Sequence, residues 1–324
     1  MPIGVTGLGS HVPETIIDNA TVGRWAGVDP AWVTERTGII ERRYADAATA
    51  TSDLAAAAAR DALAGDERRI EGLIVATCTP DVPQPSTAAI LQHKLGLSGV
   101  PAFDVNAVCS GFLFGLTVAE GMMLGRFGSG EMLVVGADMF SRIMDRGDRK
   151  TVSLFGDGAG AVVLGQVPEG YGIVASRLQT HGEHHDYVVV EAGGTRQALT
   201  EETRAAGRHY FRMDGRSVRD YAVQTQRKLI EQVLADAALT LADVDRFVFH
   251  QANTRLLESL AREMGIGMDR VALTAPEYGN TAGASIPVTL HASHRVRPLQ
   301  RGERILMSSV GGGMTAAALL LTWY

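Results

Sequence analysis

Short apolar runs alternate with helical patterns along the whole chain. Residues 2–7, 72–77 and 133–136 are β-branched or apolar stretches of strand length, and 53–64 and 86–95 between them carry helical spacing. A second series opens with the run 173–178, passes through a long helical pattern over 217–238, and continues with strand patterns at 247–249 and 305–308. This alternation predicts an α/β fold with a mainly parallel sheet covered by helices. Two series of similar length predict two related halves, residues 1–170 and 171–324. Between the series, residues 181–208 are polar and rich in glycine and charge, the pattern of a surface excursion.

One stretch departs from one-sided patterning. Phe112, Leu113, Phe114, Leu116, Val118 and Ala119 make a segment apolar around most of its circumference, which predicts a central, buried helix. Cys109-Ser110-Gly111 stands directly before it. Unpaired N–H groups and the positive end of the helix dipole at that position stabilise a thiolate and lower a thiol pKa, so Cys109 is a candidate nucleophile. The plain alternative is a small core residue, since free cysteine is often buried. Cys78, at the end of an ordinary strand pattern, reads as that.

Composition narrows the partners. With 324 residues, 46% hydrophobic and 20% charged, the chain has material for a large core and is not disordered. Thirty Lys plus Arg against 36 Asp plus Glu give a net charge of −6, and no basic block tracks a phosphate backbone, which argues against nucleic acid and for small molecules or carrier proteins. The first residues lack a basic stretch followed by an apolar one, and no apolar run approaches the ~18 residues that span a bilayer, so the reading is a cytoplasmic protein off the membrane. Two cysteines are too few for a disulfide framework in a chain of 324 residues and are read as thiols.

A nucleophilic thiol needs a partner that handles protons or developing charge. His250 closes the apolar strand pattern 246–249 and opens Gln251-Ala252-Asn253, the strand-end position where α/β enzymes place reactive side chains. Thirty residues on, Gly279-Asn280-Thr281 sits in a glycine-rich turn carrying one amide; alone it reads equally as a simple turn. His181, His184 and His185 lie with Glu183 and Asp186 in the polar excursion at a spacing that fits no standard metal site. His291 and His294 read as packing or surface residues. The run Gly156-Asp157-Gly158-Ala159-Gly160-Ala161 lacks the Lys-Ser/Thr ending of a P-loop and reads as close backbone packing.

In this order, the Cys109 segment, Phe155 to Ala161, His250-Gln251-Ala252-Asn253, Gly279-Asn280-Thr281 and the terminal Gly311-Gly312-Gly313 resemble the β-ketoacyl-acyl-carrier-protein synthase III family of thiolase-fold condensing enzymes. The resemblance spans the chain and implies two related βα halves in a five-layer αβαβα arrangement. It assigns Cys109, His250 and Asn280 as the catalytic residues and the backbone N–H groups of Cys109 and Gly312 as the oxyanion hole. Cys109 would take an acyl group from a thioester and a malonyl thioester would extend it by decarboxylative condensation, in fatty-acid or polyketide biosynthesis. It further implies that Trp32 and Arg149 sandwich the adenine of coenzyme A, that Arg36 and Arg255 meet phosphates, that Asn253 meets the pantetheine arm, and that Gln84, Phe155 and Met213 border the acyl pocket. The plain alternatives are a core anchor for Trp32 and surface positions for the arginines. Coenzyme A or carrier thioesters as substrates, an acyl carrier protein as partner, a homodimer, and no metal or redox cofactor complete what the resemblance implies.

Two departures qualify it. Gln84 stands where the family commonly has a bulky apolar residue, in a loop often contributed across the dimer, which points to a polar or differently shaped acyl group. Arg255 and Arg262 are the basic residues that an acidic carrier requires, but Glu263 follows directly and Asp220 replaces an expected base. These departures favour a specialised pathway. They also keep open an alternative: an acyltransferase that delivers the Cys109-bound acyl group to an alcohol or amine, with His250 as general base.

Overall fold

The computed structural model describes residues 1–64, 70–125 and 130–324. Up to residue 166 the chain runs β1 (Ile3–His11), β2 (Ile16–Asp18), α1 (Asn19–Ala26), α2 (Pro30–Thr37), β3 (Glu41–Arg43), α3 (Thr51–Leu63), β4 (Ile70–Ala76), α4 (Thr87–Lys94), β5 (Ala102–Val105), α5 (Gly111–Leu124), β6 (Glu131–Met139), α6 (Arg149–Val152) and β7 (Asp157–Gln166). From residue 172 it runs β8 (Gly172–Thr180), β9 (Val188–Val189), α7 (Glu201–Ala205), β10 (Arg212–Met213), α8 (Gly215–Asp236), β11 (Arg246–Phe249), α9 (Thr254–Met264), α10 (Ala275–Tyr278), α11 (Ser285–Val296), β12 (Arg304–Gly311) and β13 (Thr315–Thr322).

Two sheets form the frame, in the orders β1-β7-β6-β4-β5 and β11-β12-β13-β8. They repeat one connectivity. β1-α3-β4-α5-β6-β7 and β8-α8-β11-α11-β12-β13 each run strand, outer helix, strand, inner helix, and then two antiparallel strands. The sheets are mixed, which corrects the expectation of mainly parallel ones. Only β5-β4-β6 and β11-β12 pair in parallel, and β1, β7, β8 and β13 run antiparallel to their neighbours. The reason is local at β12 and β13: the connection 312–314 is too short for a crossover, so the chain turns back as a hairpin.

Three apolar layers glue the frame into the five-layer αβαβα arrangement. Leu54 and Leu91 of α3 and α4 cover the outer face of the first sheet with Leu73 and Val135. Leu229, Val233, Leu257 and Leu260 of α8 and α9 cover the outer face of the second sheet with Phe247 and Leu320. Between the sheets, Phe112, Leu113 and Leu116 of α5 and Ile286 and Leu290 of α11 pack against Ile74, Val134, Met307 and Leu319 from both. The all-round apolar pattern of α5 is thereby accounted for, because that helix has sheet on two sides. The glycine run at the start of β7 packs closely against α11: a Cβ on Gly160 would stand 2.7 Å from the Pro287 Cβ and the Val288 nitrogen. No helix among the described residues is long and apolar enough to cross a membrane.

Candidate active site

Cys109 sits in a 3-10 turn, Val108–Ser110, that delivers the chain from β5 into α5. Val108 adopts φ 48°, a left-handed conformation that costs a β-branched residue energy and persists only where surroundings enforce it. The enforcing contacts come from the β12–β13 hairpin. Ser309 Oγ donates to the Cys109 carbonyl at 2.8 Å, and Thr315 Oγ1 donates to the Ala107 carbonyl at 2.8 Å. Gly311 allows the approach, since a Cβ there would lie 2.7 Å from the Cys109 nitrogen. The nucleophile of one βα series is thus suspended from the other.

His250 follows β11 and is 6% exposed. Its Nδ1 is 2.6 Å from Ser285 Oγ, at the start of α11, and that oxygen also accepts the Gln251 N–H at 3.3 Å. A hydroxyl can give a proton to Nδ1 or take one from it, so both neutral tautomers of His250 are supported; a carboxylate there would lock one. Burial lowers the His250 pKa to about 4, so the ring is neutral at pH 7.

Asn280 is 5% exposed. Its backbone pairs with the 154–156 segment: its N–H donates to the Leu154 carbonyl at 2.8 Å, and its carbonyl accepts the Gly156 N–H at 3.0 Å. Its side-chain Oδ1 accepts the Ala282 N–H at 2.9 Å. With Oδ1 committed to that bond, the amide presents its Nδ2 donor to the remaining space. Asp138 braces the same turn from the first sheet. One oxygen accepts from Cys78 N–H at 2.9 Å and Thr79 Oγ1 at 2.8 Å, and the other from Gly283 N–H at 2.8 Å.

Cys109, His250, Asn280 and Gly312 line one narrow cavity of about 60 Å³, with Phe155 and Met213 beside them. Among the described residues no charged side chain lines it. Phe140, Phe155 and Phe211 form an aromatic cluster on one side, with Phe140 and Phe155 stacked at 4.4 Å and Phe211 edge-on to both. The thiol itself departs from the sequence expectation. Burial, followed by the charge of Asp138, pushes the Cys109 pKa well up, so any lowering by the helix terminus is outweighed. Cys78 packs against the same apolar group as Cys109, and its S–H donates a hydrogen bond to Asp138 at 3.4 Å.

A wider outer cavity of about 490 Å³ adjoins the inner one and shares Met213, Val218, Ala252, Leu256 and Asn280 with it. Arg36, Asn253 and Arg255 line the outer cavity, with Arg219 and Arg262. Asn253 caps α9, its Oδ1 accepting the Leu256 N–H at 2.9 Å, and Arg255 is engaged by Glu258 at 3.0 Å and by the Glu35 carbonyl at 3.1 Å. One helical turn from Arg36 on α2, Trp32 faces Arg149, whose guanidinium carbon is 5.6 Å from the indole centroid. Gln84 does not join these residues. It is exposed on the loop before α4, outside the cavity of its own chain.

The excursion 181–208 is less peripheral than its polarity predicts, because Val188 reaches the inner cavity beside Gly312. His184 stacks on Tyr187 at 4.7 Å and His181 packs edge-on to Tyr221 at 5.4 Å. No group of three or more His, Cys, Asp or Glu side chains placed to hold a metal occurs among the described residues. Ser285 and Val188 were not legible as site residues; the only hint of Ser285 is its place five positions after Asn280, where α11 begins.

Comparison with known proteins gives the family. Residues 103–182 match the 3-oxoacyl-[acyl-carrier-protein] synthase III sequence model and residues 234–323 its C-terminal counterpart. Acetoacetyl CoA synthase NphT7 from Streptomyces sp. (strain CL190) is 46% identical over 324 residues, covering 98% of each chain. The β-ketoacyl-[acyl-carrier-protein] synthase III of Laribacter hongkongensis is 42% identical over 323 residues, again covering 98% of each. Among solved structures, the 3-oxoacyl-(acyl carrier protein) synthase III FabH of Pseudomonas aeruginosa PAO1 superposes with a TM-score of 0.92 at 34% identity, over 100% of this chain and 98% of that one. Identity at this level along the full length, on a matching fold, makes the chain a member of the 3-oxoacyl-[acyl-carrier-protein] synthase III family.

Proposed function

We propose that the protein is a condensing acyltransferase: Cys109 takes an acyl group from a thioester, and a malonyl thioester extends it with loss of CO₂, in fatty-acid or polyketide biosynthesis. The observation that carries this reading is the orientation of Asn280, whose Oδ1 is held by the Ala282 N–H, leaving an N–H donor beside neutral His250 in the cavity of Cys109. Two neutral donors suit an enolate; a carboxylate would repel it. The relatives fit, one bearing the name acetoacetyl CoA synthase and another β-ketoacyl-[acyl-carrier-protein] synthase III.

In the first half-reaction the Cys109 sulfur attacks the thioester carbonyl while its proton passes to His250 Nε2, with Nδ1–H donating to Ser285. Because the thiol pKa is high and that of His250 low, transfer accompanies attack rather than preceding it. The backbone N–H groups of Cys109 and Gly312 receive the oxyanion, and the departing thiolate takes the proton back. In the second half-reaction the malonyl C–C bond to its carboxylate breaks, CO₂ leaves, and the electron pair moves onto the thioester oxygen. Nε2–H of His250, now in its other tautomer, and Nδ2–H of Asn280 hold that oxygen. The α-carbon then attacks the acyl-cysteine, forming the new C–C bond and breaking the C–S bond; the departing Cys109 sulfur takes the proton of His250 Nε2 while Ser285 passes one to Nδ1 and is itself reprotonated from solvent, which restores the thiol and the first tautomer. Each charge in this sequence is met by an N–H donor, so no step calls for a metal or redox cofactor.

The outer cavity supports a phosphopantetheine-bearing substrate: Arg36, Arg219, Arg255 and Arg262 supply positive charge around its walls, and the Trp32–Arg149 pair offers a stacking slot for adenine. A cytoplasmic location, where coenzyme A thioesters are at hand, is part of this reading. An acyl carrier protein is the second thioester donor in this reading. Its acidic surface meets those arginines, with Glu258 on α9 already drawing on Arg255. The homodimer rests on β5, an edge strand paired only with β4 and half-buried along its length, which offers its free side to a second copy.

The test is a panel of acyl-coenzyme A esters followed by a malonyl thioester. An acyl mass on Cys109, then CO₂ with a β-ketoacyl product, is the expected result. Transfer to an alcohol or amine without CO₂ overturns condensation, and loading that survives Cys109→Ala overturns the nucleophile.

A further inference from the structure

The cavity around Cys109 has two unlike walls. The aromatic cluster forms one; on the other, α8 and α9 contribute Ala222, Leu257 and Leu260, and β12 contributes Val310. Amid these apolar groups α8 places Gln226, which is 5% exposed and whose side-chain Oε1 has no hydrogen-bond partner among the described residues. Val218, Ala222 and Gln226 share one face of α8 at intervals of four. Val218 lines both the outer and the inner cavity, whereas Ala222 and Gln226 line only the inner one. Eight residues of helix rise place Gln226 about 12 Å beyond Val218 along the axis, past the junction through which a pantetheine arm enters.

A buried amide oxygen without a partner is an uncommon arrangement in folded proteins and a costly one, and an apolar side chain at that position would avoid the cost. An isolated water does not resolve it, since a buried water is held by two to four polar partners and the neighbouring side chains on this wall are apolar. A hydrogen-bond donor on a bound substrate would resolve it once the Gln226 amide turns toward the cavity that this residue lines.

We propose that Gln226 selects the acyl group: its Oε1 accepts a hydrogen bond from a hydroxyl on a short acyl chain carried by Cys109, so the preferred starter is a short hydroxyacyl thioester rather than its saturated counterpart. This rests on the acyl-cysteine reading above. The orphan atom is an acceptor, so the substrate group is a donor. The cavity has no charged side chain, so that donor is neutral; an ammonium would be buried without a counter-charge. The cavity volume of about 60 Å³ limits the chain to a few non-hydrogen atoms.

The test loads the full-length wild type, Gln226→Leu and Gln226→Met with butyryl-, 3-hydroxybutyryl- and 4-hydroxybutyryl-coenzyme A, and reads the rate of acyl addition to Cys109 by mass spectrometry. Wild type is expected to load at least one hydroxyacyl ester roughly three- to tenfold faster than butyryl, the worth of one net hydrogen bond. Both variants are expected to erase that preference while loading butyryl at least as fast as wild type. Two variants of similar volume guard against a local packing fault, and butyryl loading reports that each is folded. Equal loading of all three esters by wild type overturns the proposal. So does a preference that persists in both variants, or a variant that slows every ester equally, which would mean that Gln226 holds the pantetheine arm. If no ester labels Cys109, the acyl-cysteine reading falls, and this proposal with it, a result distinct from labelling without selectivity.

Discussion

Asn280→Asp separates the two half-reactions. The substitution keeps the size of the side chain and keeps an oxygen for the Ala282 N–H, so the 280–284 turn retains its anchor. It replaces the cavity-facing N–H donor by a second acceptor. Removing one preorganised donor from an oxyanion site costs about 2.7–4 kcal/mol, roughly a hundred- to a thousandfold in rate, and repulsion between carboxylate and enolate adds to it. Attack by Cys109 uses the backbone donors instead, so acyl loading is expected to stay within about threefold of wild type. The variant also carries a pH signature. At the 5% exposure of Asn280, a carboxyl is pushed above its ordinary range. As pH falls through that raised pKa the acid form appears, and its O–H restores a donor; condensation should recover partly in Asn280→Asp and not in Asn280→Ala. The assay loads each enzyme, removes excess ester, adds malonyl thioester, and follows CO₂ and β-ketoacyl product in a single turnover. If loading and condensation fall together, or if CO₂ release stays near the wild-type rate, Asn280 is not the enolate donor.

Three further outcomes follow from the same geometry. Gly311→Ala puts a methyl 2.7 Å from the Cys109 nitrogen and 3.0 Å from the Ser110 nitrogen, so the nucleophile turn must shift, and loading should fall about a hundredfold, as read by acyl mass on Cys109. Ser285→Ala removes the partner of His250 Nδ1 and should lower kcat of both half-reactions about tenfold with KM little changed; a change confined to KM would show that Ser285 serves binding. The low His250 pKa, about 4 against an ordinary 6.5, means that the unfolded chain takes up a proton before the folded one does as pH falls. Stability should therefore be lost between pH 6.5 and 4, by up to about 3 kcal/mol. Thermal melts of wild type and His250→Gln at pH 8 and pH 5 check this: the wild type should lose ground relative to the variant at the lower pH.

How far the sequence reaches depends on the kind of information. The helix after Cys109 was legible because its apolar residues cover every side, and only a central position explains that. Cys109 and His250 stood out as candidates because each lies at a change of pattern, where a strand or turn gives way to a helix, whereas Asn280 alone reads as a turn and was singled out by the family resemblance. The thiol pKa was misread in direction, because the helix terminus is visible locally while Asp138 and the depth of burial are not. Gln226 left a faint trace, a lone amide on the apolar stripe of Ala222, Ile230 and Val233, but whether it has a partner is a property of α9 and β12. The antiparallel strands β1, β7, β8 and β13 were missed because alternation of elements says nothing of strand direction.

The suspension of Cys109 from the β12–β13 hairpin has a counterpart in Asp138, which reaches from β6 to the Gly283 N–H beside Asn280. Each series therefore grips the reactive turn of the other, like two hands clasped at the wrist. Neither βα series can drift alone, because a change that relaxes β12 loosens the cysteine and a change at the end of β6 loosens the asparagine. Cutting the chain in the connection between β7 and β8 should yield fragments that are inert singly and regain acyl loading only on reassociation, making activity a direct gauge of whether the two have docked.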